Sequence, residues 1–446
     1  MSHRSVSEQS ATPVSSEKRA TLLQTWKQRM AAGSPAAIPL THVSHEGLLP
    51  LSFAQERIWF LQQFMPDSSG YHLPIALHIS GQVSLPLLEQ SFTELLKRHV
   101  PLRTRFVEHE GRPAQVIMPP PAFTIATCDL RTFPEDERDR QLQQHIQEEY
   151  ARPFDLTSGP LLRAFFFELT DQSAVLLLLL HHLITDGWSN VLIIKELGQI
   201  YGALAAGQPI SLPELSYQYP DLVHWQRQRW QEHALARQQT YWQELLGNAP
   251  FLLQLPLDHP RPAIQTSRGA IHRFLVAPHI QEELKRLSQQ EGATFVMAVL
   301  ALFTLLLWRL TRQDDILIGM PAFNRTRSEA ENLVGLFVNT IVLRTTCSPQ
   351  DTFRTLLRQV RQRMLGAYEH QEYPFEKLVE ALQPERDTSQ SPLFQVMLSV
   401  SAGDDTEQMS WPGATVQVRE VDPVAANFDL TLEVVEQAGL ASFAFV

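Results

Sequence analysis

The stretch LLLLLHHLITDGWS, from Leu176 to Ser189, is the most informative part of the chain. Its first five residues, together with the preceding Ala174 and Val175, form a continuous apolar run, which is typical of a strand in the interior of a sheet. Two histidines and a short turn with Asp186 follow, and a helix is predicted from Asn190 to Ala206. Side chains at the end of a central strand lie beside a crevice where α/β proteins usually bind ligands. The stretch therefore predicts a buried strand that leads into a functional site.

The two histidines are expected to lie in different environments. Alternation along a strand sends the His181 and His182 side chains to opposite sides, so one can line a channel while the other packs inside. Gly187 allows a turn conformation, or a close backbone approach, that a Cβ atom would hinder.

This combination of residues suits acyl transfer. A neutral imidazole accepts a proton from an attacking amine or hydroxyl at cellular pH, or hydrogen-bonds the ammonium that develops, and the sequence does not separate these roles. The carboxylate of Asp186 can orient the imidazole, or pair with an arginine and brace the loop. Backbone N–H groups around Gly187 can support the oxyanion of a tetrahedral intermediate.

Two other interpretations of the histidine pair stay open. It can be a core element without catalytic function, or His182 and Asp186 can belong to a metal site, although no third ligand with metal-type spacing accompanies them. The sequence contains no G-x-S-x-G elbow, phosphate loop or dinucleotide fingerprint. With these motifs absent, the residues fit direct acyl transfer without a covalent enzyme intermediate. We expect the protein to bind neither a cofactor nor a metal.

Composition narrows the class of protein. The 446 residues are 44% hydrophobic and 19% charged, which indicates a globular chain of two lobes of roughly 200 residues each. A net charge of −11 argues against nucleic-acid binding. Cys128 and Cys347 are expected to be reduced thiols of a cytoplasmic protein. The apolar segment Ala293 to Trp308 is too short to span a membrane, so a buried helix in a soluble protein is predicted.

The chain divides into three parts. Residues 1–47 are predicted to be a flexible linker with one amphipathic segment, Glu17 to Met30, which either lies on its own domain or docks on an upstream protein. Residues 48–225 are expected to form a first lobe with the histidine motif, and residues 226–446 a second lobe. Since strands and helices mix in both halves, each lobe is expected to be an α/β unit.

The motifs together resemble the condensation domains of nonribosomal peptide synthetases, within the chloramphenicol-acetyltransferase-like superfamily. HHLITDG (His181 to Gly187) is similar to the family's His-His-x-x-x-Asp-Gly signature. The other motifs occur in the family's order: LSFAQERIWFL (Leu51 to Leu61), RHVPLRTRF (Arg98 to Phe106), YPDLVHW (Tyr219 to Trp225), VGLFVNTIVLR (Val334 to Arg344), HQEYPFE (His370 to Glu376) and RDTSQSPLFQ (Arg386 to Gln395). The resemblance covers the chain from about Leu48 to its end.

The resemblance implies two acetyltransferase-like lobes, each a mixed sheet with helices, arranged as a V with a central channel. Donor and acceptor carrier proteins would present thioesters on phosphopantetheine at opposite faces, and an amide bond would form between them. His182 would be the catalytic histidine, with Asp186 and Gly187 completing the catalytic turn. Asp186 would form a salt bridge with an arginine of the second lobe, Arg325 as first candidate and Arg344 as second.

The remaining site residues follow from the same resemblance. His181 would be a packing residue, and the substrate channel would be lined by Trp188, Ser189 and Asn339. The first motif and the run after the histidines look like domains that join two L-residues. Val100, Gln390 and Ser391 depart from the family pattern, and the ending LASFAFV looks truncated. Ester formation at the same site, or recruitment of carriers without catalysis, are the alternatives.

Overall fold

The computed structural model describes residues 38–446 apart from 264, 267, 386, 388, 403–408, 420, 423, 424, 438 and 439. The amphipathic segment Glu17 to Met30 lies outside the described residues, so its predicted docking role stays a prediction. The described residues form ten α-helices: α1 Phe53–Phe64, α2 Leu85–Arg98, α3 Glu135–Ala151, α4 Gly187–Ala205, α5 Tyr219–Gln231, α6 Ala236–Leu246, α7 Pro278–Gln290, α8 Phe295–Thr311, α9 Phe353–Glu369 and α10 Phe375–Leu382.

Fifteen strands are found in the same residues. They are β1 Leu49–Pro50, β2 His72–Gly81, β3 Thr104–His109, β4 Arg112–Ile117, β5 Ala126–Asp129, β6 Leu162–Thr170, β7 Ser173–His181, β8 His272–Phe274, β9 Asp315–Ala322, β10 Asn339–Thr346, β11 Val396–Ala402, β12 Met409–Trp411, β13 Ala414–Arg419, β14 Leu430–Gln437 and β15 Leu440–Phe445. Short 3-10 helices cover Val100–Arg103 and Ser328–Ala330.

The apolar run before the histidines is a central strand. The first large sheet has the order β12-β13-β2-β7-β6-β5, in which β7 pairs antiparallel with both β2 and β6. Every residue of β7 after Ser173 is buried, as expected for a central strand whose two faces both lie in the interior. A smaller sheet, in the order β1-β4-β3, lies beside it.

The second large sheet has the order β10-β9-β11-β14-β15-β8. It is mixed, because β11 pairs parallel with β9 and β14 while the other pairs are antiparallel. Each large sheet belongs to its own hydrophobic core, one centred on β7 and one on β9 and α8. The predicted architecture of two α/β lobes, each with a mixed sheet, is confirmed.

The boundary predicted at residue 225 does not hold for one hairpin. Strands β12 and β13 come from the second part of the sequence, yet β13 pairs antiparallel with β2 over Ala76 to Gly81 and extends the first sheet. Without β13, strand β2 would be the edge of the first sheet, with unpaired backbone N–H and C=O groups. Such an edge gains hydrogen bonds by pairing with an extended segment from anywhere in the chain. The first lobe therefore includes the hairpin 409–419.

The apolar segment in the second half forms helix α8, with Thr294 as its N-cap. Nine of its residues are buried, which agrees with the predicted core helix. Leu302, Leu306 and Leu310 nevertheless keep 40–47% of their surface exposed. Among the described residues no single helix is long and apolar enough to cross a membrane; α7 and α8 meet that test only as a pair bent by 106°.

Candidate active site

Strand β7 delivers two histidines with different surroundings. His181, its last residue, is fully buried, whereas His182 keeps part of its surface exposed. His181 lies opposite His72 in the antiparallel pair β2–β7. The different environments that strand alternation predicts are present.

Two backbone carbonyls fix the position of His182. Its N–H donates to the Tyr71 carbonyl at 2.8 Å. Its Nδ1 lies 2.8 Å from the Thr185 carbonyl oxygen, and since a carbonyl only accepts, Nδ1 carries the proton. In the neutral ring Nε2 then holds the free lone pair. Across the described part of the chain, no group hydrogen-bonds to Nε2.

The surroundings keep this imidazole neutral. Burial lowers the pKa of His182, the nearby Arg57 cation lowers it further, and the Thr185 carbonyl and the Asp186 carboxylate act in the opposite direction. The net effect places the pKa below the ordinary value of about 6.5. At neutral pH the Nε2 lone pair is therefore ready to accept a proton.

The turn after His182 is held from the first helix. Gln55 donates from Nε2 to the Leu183 carbonyl at 2.9 Å. Gln55 is itself fixed by a capping box, in which it and Ser52 exchange side-chain to backbone hydrogen bonds at the start of α1. The polar residues of the first motif thus position the histidine turn.

Asp186 joins the histidine turn to the second lobe. It is the N-cap of α4, where Oδ1 accepts from the Ser189 N–H at 2.8 Å. Oδ1 also accepts from Arg325 Nη2 at 3.1 Å, and Oδ2 accepts from the Phe337 N–H at 3.0 Å. No hydrogen bond from Asp186 to His182 occurs among the described residues. Of the two roles that the sequence left open, the contacts show the bracing one.

Arg325 is the arginine predicted as the first candidate to pair with Asp186. It follows β9, and its Nη1 donates to the carbonyls of Ala330 and Leu333, the latter at 2.7 Å. Its guanidinium lies 4.0 Å from the centre of the Phe337 ring. The second candidate, Arg344, is wrong, because it forms an ion pair with Asp315 on the neighbouring strand at 2.6 Å.

The prediction that Ser189 lines a channel is wrong. Ser189 is completely buried, and its hydroxyl accepts from Arg325 Nη2 at 2.7 Å and from the Gly335 N–H at 3.1 Å. The same hydroxyl donates to the Gly335 carbonyl at 3.0 Å. Because it lies in the first turn of α4, this serine faces the loop of the second lobe that carries Gly335.

Trp188 and Asn339 lie at the boundary between the lobes. Trp188 is 39% exposed and donates from Nε1 to the Glu331 carbonyl at 2.9 Å. Asn339 is 7% exposed, and its amide is fully used by the backbone of residues 371, 373 and 375. Trp188 thus offers an exposed ring, whereas the Asn339 amide positions the loop before α10.

Gly187 begins helix α4 and faces open space. A Cβ atom built there would meet nothing within 4 Å, and its φ is not left-handed. Of the two uses of this glycine that the sequence allowed, a turn conformation closed to other residues is therefore not found. A close approach of another molecule to this backbone is compatible with the open space.

A further ion pair between the lobes was not predicted from the sequence. Arg57 of α1 forms an ion pair with Glu376 of α10, with 3.0 Å between Nε and Oε1. Arg57 lies in the motif LSFAQERIWFL and Glu376 in the motif HQEYPFE. These motifs mark both residues as of interest, but the sequence alone does not show that they pair. Beside this pair lies an interlobe cavity with lining residues from both lobes, among them Ser52, Tyr219, Trp225, Asn324, Asn339 and Glu376.

The described residues give no support to a metal site at His182 and Asp186. Within residues 38–446 as described, no group of three or more His, Cys, Asp and Glu side chains could hold a metal ion. Nδ1 of His182 and both carboxylate oxygens of Asp186 are engaged with protein groups.

The sequence is similar to a known protein family and to individual members of known synthetases. A family model described as "Condensation domain" matches residues 45–445. The chain is 44% identical over 364 residues to a linear gramicidin synthase of Brevibacillus parabrevis, covering 82% of the chain and 5% of that protein. It is 36% identical to the phosphinothricin tripeptide synthetase PhsC of Streptomyces viridochromogenes, covering 94% of the chain and 38% of that protein. The chain thus spans only a small part of these relatives.

Solved structures share the fold. The X-domain from teicoplanin biosynthesis superposes with a TM-score of 0.82 at 24% identity, over 92% of this chain and 91% of that one. A starter condensation domain of rhizomide synthetase RzmA, a mutant in complex with C8-CoA, gives a TM-score of 0.75 at 23% identity, over 89% and 88% of the two chains.

Proposed function

The chain belongs to the condensation-domain family of nonribosomal peptide synthetases, and we propose that it is itself an active acyltransferase. The proposed reaction joins a donor acyl thioester to the amine of an acceptor aminoacyl thioester. Both substrates would be carried on the phosphopantetheine arms of partner carrier domains. The observation that carries the proposal is the free Nε2 lone pair of His182, held by the Nδ1 contact to Thr185.

The proposed chemistry follows from that lone pair. The acceptor amine attacks the donor carbonyl, the C–N bond forms, and the proton that the amine loses goes to His182 Nε2. The tetrahedral intermediate then expels the donor thiolate as the C–S bond breaks, and the imidazolium returns the proton to sulfur. The backbone N–H of Gly187, at the start of α4, is the proposed support for the oxyanion, since a helix N-terminus favours negative charge.

Asp186 and Arg325 have a positioning role in this proposal. Among the described residues neither side chain hydrogen-bonds to the His182 ring, and their contacts hold the turn against the loop 330–337 of the second lobe. The exposed ring of Trp188 is the proposed channel-lining group. The subtype that joins two L-residues is supported by the first motif and by the run from Ile184 to Ser189.

The test is a condensation assay with the whole chain. A donor carrier loaded with an aminoacyl thioester is mixed with acceptor carriers that bear either an amine or a hydroxyl, and products are identified by mass. We expect amide product, and a fall in rate of about 100-fold or more for His182→Ala. His145→Ala is the matched control, because His145 is a 39% exposed histidine on α3.

Two outcomes would reject the proposal. Exclusive ester product would favour the ester-forming alternative. Equal rates for wild type and His182→Ala would favour a carrier-recruiting domain without catalysis.

A further inference from the structure

His72 and His181 form a buried pair behind the histidine turn. They are opposite each other in the β2–β7 pair, their ring centroids are 5.9 Å apart, and both pack against the Phe154 ring. His72 is 2% exposed and His181 is fully buried. The proposed reaction uses neither ring.

The partners of each ring fix where its proton lies. His72 Nδ1 is 2.7 Å from the Tyr150 carbonyl, which only accepts, so Nδ1 carries the proton and Nε2 holds a lone pair. His181 Nδ1 is 3.1 Å from the Leu183 N–H, which only donates, so Nδ1 holds the lone pair and Nε2 carries the proton. The two rings therefore have opposite tautomers.

The two remaining nitrogens are complementary. His181 Nε2–H is a donor and His72 Nε2 is an acceptor, both are buried, and neither has a hydrogen-bond partner among the described residues. Buried polar atoms are nearly always satisfied, often by an internal water with two or more polar partners. Burial lowers the pKa of both histidines, so both rings are neutral and the opposite tautomers persist at neutral pH.

We infer that His72 is a positioning residue for the histidine turn, linked to His181 through one buried water. The hydrogen-bond chain runs from the Tyr150 carbonyl through His72, the water and His181 to the Leu183 N–H. It selects the tautomer of His181 that can accept from Leu183, the residue directly after His182. Without an acceptor at Nε2, His181 can place its proton on Nδ1 instead, and the hydrogen bond to Leu183 is lost.

The hydrogen-bond chain can be tested without any substrate. Only its expected effect on the reaction rate rests on the proposed function. The variant His72→Phe keeps a ring but removes the acceptor, and His72→Gln keeps an amide oxygen that can replace it. His78→Phe is the matched control, because His78 lies on the same strand and, among the described residues, its Nε2 hydrogen-bonds to the Ser173 hydroxyl alone. All variants are made in the full chain.

The decisive measurement is the ¹⁵N chemical shifts of the histidine rings, which need no substrate. We expect Nε2-protonated His181 and Nδ1-protonated His72 in the wild type and in His78→Phe. His72→Phe should give mixed His181 tautomers and faster exchange of the Leu183 amide, and a crystal structure of the wild type should show one water within hydrogen-bond distance of both Nε2 atoms. A proton on His181 Nδ1 in the wild type, or a dry contact between the rings, would overturn the inference.

Kinetics give the second readout. In the condensation assay His72→Phe should lower kcat by about 10- to 100-fold with little change in KM, since a displaced general base slows chemistry more than binding. His72→Gln should recover most of the rate. Equal kcat for His72→Phe and the wild type would exclude the positioning role. An inactive wild type with the expected tautomers would instead reject the proposed function and leave the hydrogen-bond chain standing.

Discussion

Asp186 and Arg325 form an ion pair across the two lobes, with 3.1 Å between Oδ1 and Nη2 and side chains that are 1% and 3% exposed. Charges so deeply buried are tolerated only when hydrogen bonds satisfy them from several sides. Here Ser189 and Phe337 supply donors to the carboxylate, and the carbonyls of Ala330 and Leu333 accept from the guanidinium. The position of the histidine turn therefore depends on the second lobe.

Removing the carboxylate should destabilise the fold. In Asp186→Ala the Arg325 guanidinium stays buried without its anionic partner, which typically costs about 3 to 5 kcal/mol. We expect a lower urea midpoint and a lower Tm. Asp171→Ala is the control, because Asp171 also pairs with an arginine but is 85% exposed, and its loss should change little. Equal melting temperatures for Asp186→Ala and wild type would refute the bracing role.

The partners in this ion pair could be predicted from the sequence, whereas other features of the site could not. A carboxylate after the histidines and an arginine after a strand are visible in the chain, and the family resemblance joins them. The proton on His182 Nδ1 was not predictable, since its partner is the backbone carbonyl of Thr185, a group that every residue possesses. Ser189 was misassigned for a related reason: a serine in the first helical turn looks polar in sequence, and only the packed second lobe buries it.

The pairing of strands that are far apart in the sequence could not be predicted either. The hairpin 409–419 pairs with β2, more than 300 residues earlier. Both segments have ordinary strand patterns, and nothing in either pattern says which sheet edge it will meet. The run Leu176 to Leu180, in contrast, was predictable because a strand that is buried on both faces needs apolar residues at every position.

The reaction should slow in acid as His182 becomes protonated. Burial lowers its pKa, so at neutral pH the ring is neutral and the rate does not depend on its titration. As pH falls through that lowered pKa, the Nε2 lone pair is lost and the rate falls. Single-turnover rates between about pH 5 and pH 8 should show this decrease below the ordinary histidine value.

Two substitutions should move the midpoint in opposite directions. Asp186 raises the pKa of His182 and Arg57 lowers it. Asp186→Asn should therefore shift the acid limb to lower pH, and Arg57→Met should shift it to higher pH. Shifts in the same direction, or a profile without an acid limb, would argue against His182 as the titrating base.

Gly335 should not tolerate a side chain. A Cβ atom at this position would lie 2.2 Å from the Tyr219 ring, and Gly335 exchanges two hydrogen bonds with Ser189. Gly335→Ala should cost about 1 to 3 kcal/mol through overpacking and should lower the rate by displacing the loop that holds Asp186. Urea unfolding of Gly202→Ala provides the control, because there the Cβ atom meets its nearest neighbour at 3.9 Å. Wild-type stability of Gly335→Ala would contradict the tight contact.

Gly187 should behave in the opposite way. A Cβ atom there meets nothing within 4 Å and the backbone is not left-handed, so Gly187→Ala should leave stability unchanged or raise it by up to about 1 kcal/mol. The same methyl group would occupy the open space beside the N–H that is proposed to support the oxyanion. We therefore expect a fall in kcat of at least about tenfold without unfolding. Gly202→Ala, on the same helix, should keep the full rate. A Gly187→Ala enzyme with wild-type kcat would remove Gly187 from the active site, while a destabilised one would show that its role is structural.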